Sequence, residues 1–339
     1  VARRTAAPSD DGLLRFVYGP NPVLQRFDLV GLVKPDTPVE LRTRPQDGDW
    51  SPWVETTDGE PVWTGGAEEL ELRGAEPPRG EIAYVNVSGD ATLADRALTT
   101  LRGTVSSGFV GLGSLFAGDV AEGDAPFDVV NRNEWDPGGD CVPKEPVFGK
   151  VKAAVVHHTV NSNTYTEGEA AGIVLAICRY HRYSQGWNDI GYNALVDRFG
   201  NVYAGRVGGL ANPVVGAHTA GFNSQTFGVS SIGTHTTTGM SAAAIDGITN
   251  LLAWKLSMHG IDAVGKTRVE SAGGSGNKFP AGAKVKTNEI TRHRKFNETS
   301  CPGRAQVSRI QRITAEKIAS GTYPPPPEDP PDDGGLPVG

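Results

Sequence analysis

Two short stretches hold side chains able to do chemistry together. Val155-Val156-His157-His158-Thr159 closes an apolar, β-branched run on a pair of histidines. More than a hundred residues later, His293 stands eight positions before Cys301, in a segment ending Thr299-Ser300-Cys301-Pro302-Gly303. Two imidazoles and a thiolate make a donor set that suits zinc. Three protein ligands leave a fourth position for water, whose pKa on zinc falls to about 7. Asn297 and Pro302-Gly303 fit a loop that turns the thiolate back toward the imidazole. The chemistry implied is that of a zinc hydrolase.

The elements that must position these groups are readable from periodicity. Residues 151–156 read as a buried strand delivering the histidine pair. Thr166-Glu167-Gly168-Glu169 has the form of a capping box, with Ile173, Ile177 and Tyr180/His181 at helical spacing behind it. Strands are expected over 190–197, 201–204 and 226–232, the first two joined by a turn at Phe199-Gly200-Asn201. Ser241 caps a helix running to 258–259, with Ile245, Ile248, Leu252 and Leu256 on one face and Gly260 as its stop. A strand over 285–292 leads into the second ligand segment, and a last helix spans 304–319. The mixed order predicts an α/β layer with one central mixed sheet flanked by helices over residues 129–320.

Residues 11–92 read differently. Short apolar runs at 27–33, 39–43, 70–73 and 82–87, with Asp-Gly turns at 46–49 and 57–60, predict a small all-β sandwich-like unit. Trp50, Trp53 and Trp63 fall here, as a β core or as an aromatic platform for sugar rings. Residues 93–128, rich in Gly, Ser and Ala, read as a linker, with a short helix possible over 90–101. Residues 321–339, rich in proline and acid, read as a disordered tail.

Composition narrows the class. The chain has 339 residues, a formal net charge of −7 and no basic run, which argues against nucleic-acid binding. No apolar stretch approaches the roughly 18–20 residues a membrane span needs. The chain opens on Val1 with no initiator Met, as a processed or a trimmed product would, so export is not read directly from this start. If Cys301 binds metal, Cys141 and Cys178 are left to pair, which favours an exported protein, or to stand as two separate buried thiols.

Residues 130–320 resemble the peptidoglycan recognition protein and type 2 N-acetylmuramoyl-L-alanine amidase family. The resemblance is carried by Val155 to Thr159, by Tyr180-His181 followed by Gly186-Trp187-Asn188-Asp189-Ile190-Gly191-Tyr192-Asn193, and by Asp197 through Arg206. It continues in Val215-Gly216-Ala217-His218-Thr219 with Gly221-Phe222-Asn223, and in His293-Arg294 through Gly303. The β-rich start resembles the leader found before such domains in some actinobacterial cell-wall enzymes.

The resemblance implies Zn2+ held by His157, His293 and Cys301. It implies hydrolysis of the amide joining the lactyl group of N-acetylmuramic acid to L-alanine of the peptidoglycan stem peptide. Tyr192 and Thr299 would be catalytic donors. His218, Thr159, Trp187, Arg206 and Asn223 would line or support the substrate groove, with structural roles open for each. A Cys141–Cys178 disulfide, a secreted or cell-wall location, a monomeric state and peptidoglycan as partner complete the expectation. His158 is expected to support the ligands and His181 to pack, while His235 and His259 read as surface. Two departures stand out. Ser230 occupies the place where some relatives carry a glutamate base, and Arg294-Lys295-Phe296 replaces a common Arg-Asp. A non-catalytic peptidoglycan-binding module is the alternative reading.

Overall fold

The structure is a computed structural model that describes residues 3–5, 13–18, 26–33, 39–56, 60–75, 81–87, 125–321 and 323. The expected helix over 90–101, most of the 93–128 linker, residues 57–59 of one Asp-Gly turn and the tail from 324 lie outside them.

The N-terminal residues form two antiparallel sheets. One has the order β1-β2-β7-β4-β5, built from Arg3–Thr5, Leu14–Tyr18, Glu69–Gly74, Glu40–Arg44 and Val54–Glu55. The other has the order β6-β3-β8, built from Val62–Ala67, Phe27–Val33 and Glu81–Val85. Apolar side chains from both, including Phe16, Phe27, Leu32, Leu41, Leu70 and Leu72, pack into one core, the expected sandwich. The core reading of the tryptophans needs correction. Trp63 is buried, but Trp50 and Trp53 are only half-buried and lie under guanidinium groups. Arg42 sits 4.8 and 4.5 Å from their ring centres, and Arg73 sits 4.3 Å from that of Trp53.

The second layer is a six-stranded mixed sheet, ordered β16-β10-β13-β11-β12-β9. Its strands are β9 Val129–Val130, β10 Ala153–His158, β11 Ala194–Val196, β12 Val202–Ala204, β13 Thr226–Ser231 and β16 Ile290–Arg292. A short helix, α1 (Arg132–Trp135), follows β9, and a two-stranded ribbon, β14 Lys266–Glu270 with β15 Lys284–Asn288, precedes β16. β10 is parallel to both β13 and β16, and every one of its residues is buried. This is why its sequence reads as a continuous apolar run and not as an alternation.

Helices cover both faces. α3 (Ala242–Met258) and α4 (Val307–Ala319) pack with Val156, Phe227, Val229 and Val196 on one face. The Ser241 side chain caps α3 by accepting from the Ala244 N–H. α2 (Glu167–Arg179), begun by the Thr166/Glu169 capping box and continued by a π-helical turn over Tyr180–Ser184, packs on the opposite face with Leu195 and Ile190.

The core around α2 also contains Leu29 and Trp63 from the sandwich. The Tyr180 hydroxyl donates to the Leu32 carbonyl at 3.0 Å, and the Trp63 N–H donates to Asn161 Oδ1 at 3.0 Å. A Cβ on Gly31 would sit 2.4 Å from the Tyr180 ring, so glycine is what permits this approach. Val160, with φ of 60°, also packs against the sandwich core. That dihedral is an outlier for a β-branched residue and is held by its surroundings.

Candidate metal centre

His157 and His293 occupy the C-terminal ends of adjacent parallel strands, the edge where open α/β sheets place their sites. His157 is in the last turn of pleat of β10 and His293 directly follows β16. Cys301 returns on a loop fixed by two bonds. The Arg294 N–H donates to the Cys301 carbonyl at 2.9 Å, and the Cys301 N–H donates to Thr299 Oγ1 at 2.9 Å. The donor atoms of His157, His293 and Cys301 all lie within 4.8 Å of one another. His157 Nδ1 and Cys301 Sγ are 3.8 Å apart.

Three features test whether this set fits a metal ion. Nδ1 of His293 is buried and makes no hydrogen bond within the protein. Burial, reinforced by neighbouring imidazoles, holds His157 well below the ordinary histidine pKa and His293 at about 3, so both rings are neutral at pH 7 and keep a lone pair. The His158 N–H points at Cys301 Sγ at 3.4 Å, a donor that favours the thiolate. Two neutral imidazoles and a sulfur at this spacing fit a tetrahedral zinc site with a free fourth position.

Three further histidines, His158, His218 and His235, form a buried shell, while His259 is half-buried at the end of α3. His157 Nε2 and His218 Nδ1 are 3.0 Å apart. With Nδ1 of His157 facing the cluster, its Nε2 carries the hydrogen and donates to His218. Burial holds His218 at about 3. Asn223 Oδ1 accepts from the N–H groups of His218 and Thr219, both at 2.8 Å, and so orients this imidazole. Gly228 makes room for it, since a Cβ there would lie 2.4 Å from the ring. His158 Nδ1 accepts from the His235 N–H at 2.9 Å. His235, expected at the surface, is 5% exposed and is held at about 4 by burial. Its ring bonds Ser231 Oγ at 2.9 Å, a contact set by the end of β13.

Tyr192 stands beside the cluster, 2% exposed, its ring centre 5.4 Å from that of His157. Burial, then the negative charge of Glu60, then Cys301, push its phenol well above the ordinary tyrosine value. The segment carrying it is anchored by Asp189, which takes both amino groups of Arg132 (2.8 and 3.1 Å) and the N–H groups of Ile190 and Val207. Cys141 and Cys178, bonded as a disulfide with Cα atoms 6.0 Å apart, lie next to this anchor.

The expected groove residues are dispersed. Thr159 does not face a groove. It is fully buried and its Oγ1 accepts from the Gly233 N–H at 3.0 Å, which ties the loop after β13 to β10. Arg206 is half-buried and donates to the Ile190 carbonyl at 3.2 Å. Trp187 stacks on His181, ring centres 4.5 Å apart at 21°. Ser230 is buried next to His157 in register, its hydroxyl beside the Tyr192 phenol. A residue the motifs did not single out, Glu60 of the sandwich, brings Oε2 to 3.7 Å from His181 Nε2. A concavity of about 600 Å3 lies apart from the cluster, lined by Arg292, Arg294, Arg304 and Arg309 beside α4.

Residues 147–304 match the family described as N-acetylmuramoyl-L-alanine amidase. Peptidoglycan-recognition protein SC2 of Drosophila simulans is 30% identical over 175 residues, covering 52% of this chain and 80% of that protein. Among solved structures, the endolysin N-acetylmuramoyl-L-alanine amidase LysCS from Clostridium intestinale aligns at 20% identity with a TM-score of 0.38, over 55% of this chain and 93% of that one. Wild-type Drosophila PGRP-LB aligns at 23% identity with a TM-score of 0.40, over 58% and 96%.

Proposed function

The chain belongs to the N-acetylmuramoyl-L-alanine amidase and peptidoglycan-recognition protein family, and on that premise we propose that it is a zinc-dependent amidase. Its substrate is the amide between the lactyl group of N-acetylmuramic acid and L-alanine of the peptidoglycan stem. The observation that carries this reading is the convergence of His157, His293 and Cys301, all three donors present and within 4.8 Å. Zn2+ bound there would polarise the scissile carbonyl and acidify a water ligand.

The chain's own residues supply the rest. His218 accepts the His157 Nε2–H and fixes the ligand ring, with Asn223 behind it. The Tyr192 phenol, uncharged at neutral pH, faces the reacting centre as a hydrogen-bonding group. Thr299 holds the Cys301 backbone through Oγ1 and offers its hydroxyl hydrogen as a donor beside the sulfur. The disulfide suits an oxidising, extracytoplasmic compartment, where peptidoglycan lies. Among the described residues no helix is long and apolar enough to cross a membrane. The protein acts as a secreted or wall-associated monomer.

Zinc analysis of the purified protein, with mass detection of stem peptide released from sacculi, tests the reading. Zinc at one equivalent with stem-peptide release is expected. The second reading, binding without cleavage, draws on relatives named as recognition proteins. Bound zinc with no release from several peptidoglycan types would establish it instead.

A further inference from the structure

Ser230 sits where a carboxylate base would stand, yet a carboxylate does reach this face of the sheet, from the other layer. Glu60 precedes β6 of the sandwich. Its Oε2 is buried without a hydrogen-bond partner and faces His181 Nε2, itself buried and unpartnered, at 3.7 Å. The tautomer of His181 follows from its other nitrogen. Nδ1 accepts the Gly191 N–H at 3.2 Å, so the ring hydrogen is on Nε2 and points toward the carboxylate. His181 is clamped between Trp187, stacked at 4.5 Å, and Tyr192, whose ring meets it edge-on at 5.8 Å. Tyr192 in turn contacts His157. A chain of contacts thus runs from Glu60 through His181 and Tyr192 to the metal ligands.

We propose that Glu60, carried by the β sandwich, is a positioning residue of the amidase centre, acting through His181 and Tyr192. The carboxylate is the acceptor toward which the Tyr192 O–H turns, leaving the phenol oxygen's lone pairs facing the cluster to receive a hydrogen from the attacking water. The site is then incomplete without the sandwich. The inference rests on the amidase reading for its chemistry, while the contact itself does not. A removable plug is disfavoured by the manner of docking. Leu29 and Trp63 are part of the α2 core, and Gly31 approaches Tyr180, the residue before His181, more closely than any side chain would allow.

The test compares Glu60→Ala and Glu60→Gln in the full chain, zinc-loaded and zinc-free. Zinc content and melting temperature are expected to match the parent in both variants. In Glu60→Ala, kcat on a purified muropeptide is expected to fall about 10²-fold with KM within about twofold. Glu60→Gln, which keeps an acceptor oxygen, is expected to recover part of the loss. Independently of activity, the NMR shifts of the His181 ring nitrogens and of Tyr192 Cζ are expected to move in Glu60→Ala. Unchanged kcat overturns the proposal, and so does increased kcat, which would make Glu60 an obstruction. Unmoved His181 and Tyr192 resonances also overturn it, even for a protein that binds peptidoglycan without cutting it. Absence of cleavage by the parent chain, by contrast, defeats only the amidase reading.

Discussion

Replacing Gly31 by alanine should weaken the joint between the two layers. The new Cβ would lie 2.4, 2.5 and 2.7 Å from Cε2, Cζ and the hydroxyl of Tyr180. Carbon contacts settle near 3.5–4.0 Å, so about 1 Å of separation must be found. Tyr180 cannot move cheaply, because it is wholly buried in the α2 core and its hydroxyl holds the Leu32 carbonyl. Overpacking of this kind costs about 1–3 kcal/mol, and losing the hydrogen bond adds about 1 kcal/mol. At roughly 2 °C per kcal/mol for a chain of this size, the melting temperature should fall by roughly 4–8 °C, or a separate early transition should emerge as the sandwich undocks. Calorimetry reads both. Gly168→Ala on α2 is the control, since a Cβ there meets nothing within 4 Å and the residue is helical. A second substitution that shrinks Tyr180, Tyr180→Leu, should return part of the loss in Gly31→Ala, a coupling measurable as a double-mutant cycle. A Gly31→Ala melt within a degree of the parent would refute the joint as described.

Other perturbations address the centre itself. Cys301→Ser and His157→Ala should each abolish stem-peptide release and lower zinc content. His158→Ala should keep the metal, and the reverse pattern would exchange the two histidines. His218→Ala should weaken zinc binding about 10–100-fold by freeing the His157 ring, which competition with a chelator measures. His235 is neutral in the fold and held at about 4, against an ordinary value near 6.5. The unfolded chain therefore binds more protons between those values, so the contribution of His235 is fully present above about pH 6.5 and is lost as pH falls toward 4. It amounts to at most about 3 kcal/mol. Denaturant unfolding across this window should show a shallower pH slope in His235→Gln than in the parent.

The parts of the site that were legible in the sequence share a cause. β10 is buried on both faces between parallel partners, so its apolar run announces itself and the histidines mark where it ends. α2 and α3 carry caps whose chemistry is local. Elements depending on distant partners were blurred. The expected strand over 190–197 is strand only at Ala194–Val196, because Asp189 and the Ala217 N–H claim the polar groups of residues 190 and 191. The strand expected over 285–292 breaks at Glu289, whose N–H donates to the Gly265 carbonyl. β14 was missed because its short run, Lys266–Glu270, exposes charges on alternate positions and buries only Val269.

Glu60 is the extreme case of the same limitation. In sequence it is the last residue of an Asp-Gly turn, a solvated position by any local rule. Its significance depends on three facts spread over the chain. Gly31 lets the sandwich close on Tyr180, the π-helical turn after α2 puts His181 next in line, and Gly191 takes the other imidazole nitrogen. Each is individually unremarkable, and none involves a periodic pattern. The empty base position at Ser230 was visible from the motif, but the carboxylate facing the same tyrosine came from a layer that the amidase match, residues 147–304, does not include. The proposed centre, with its ligands from one layer and its positioning carboxylate from the other, would tie activity to docking. Gly31→Ala should therefore reduce kcat as well as stability, while zinc content, set entirely within the second layer, stays at the parental level.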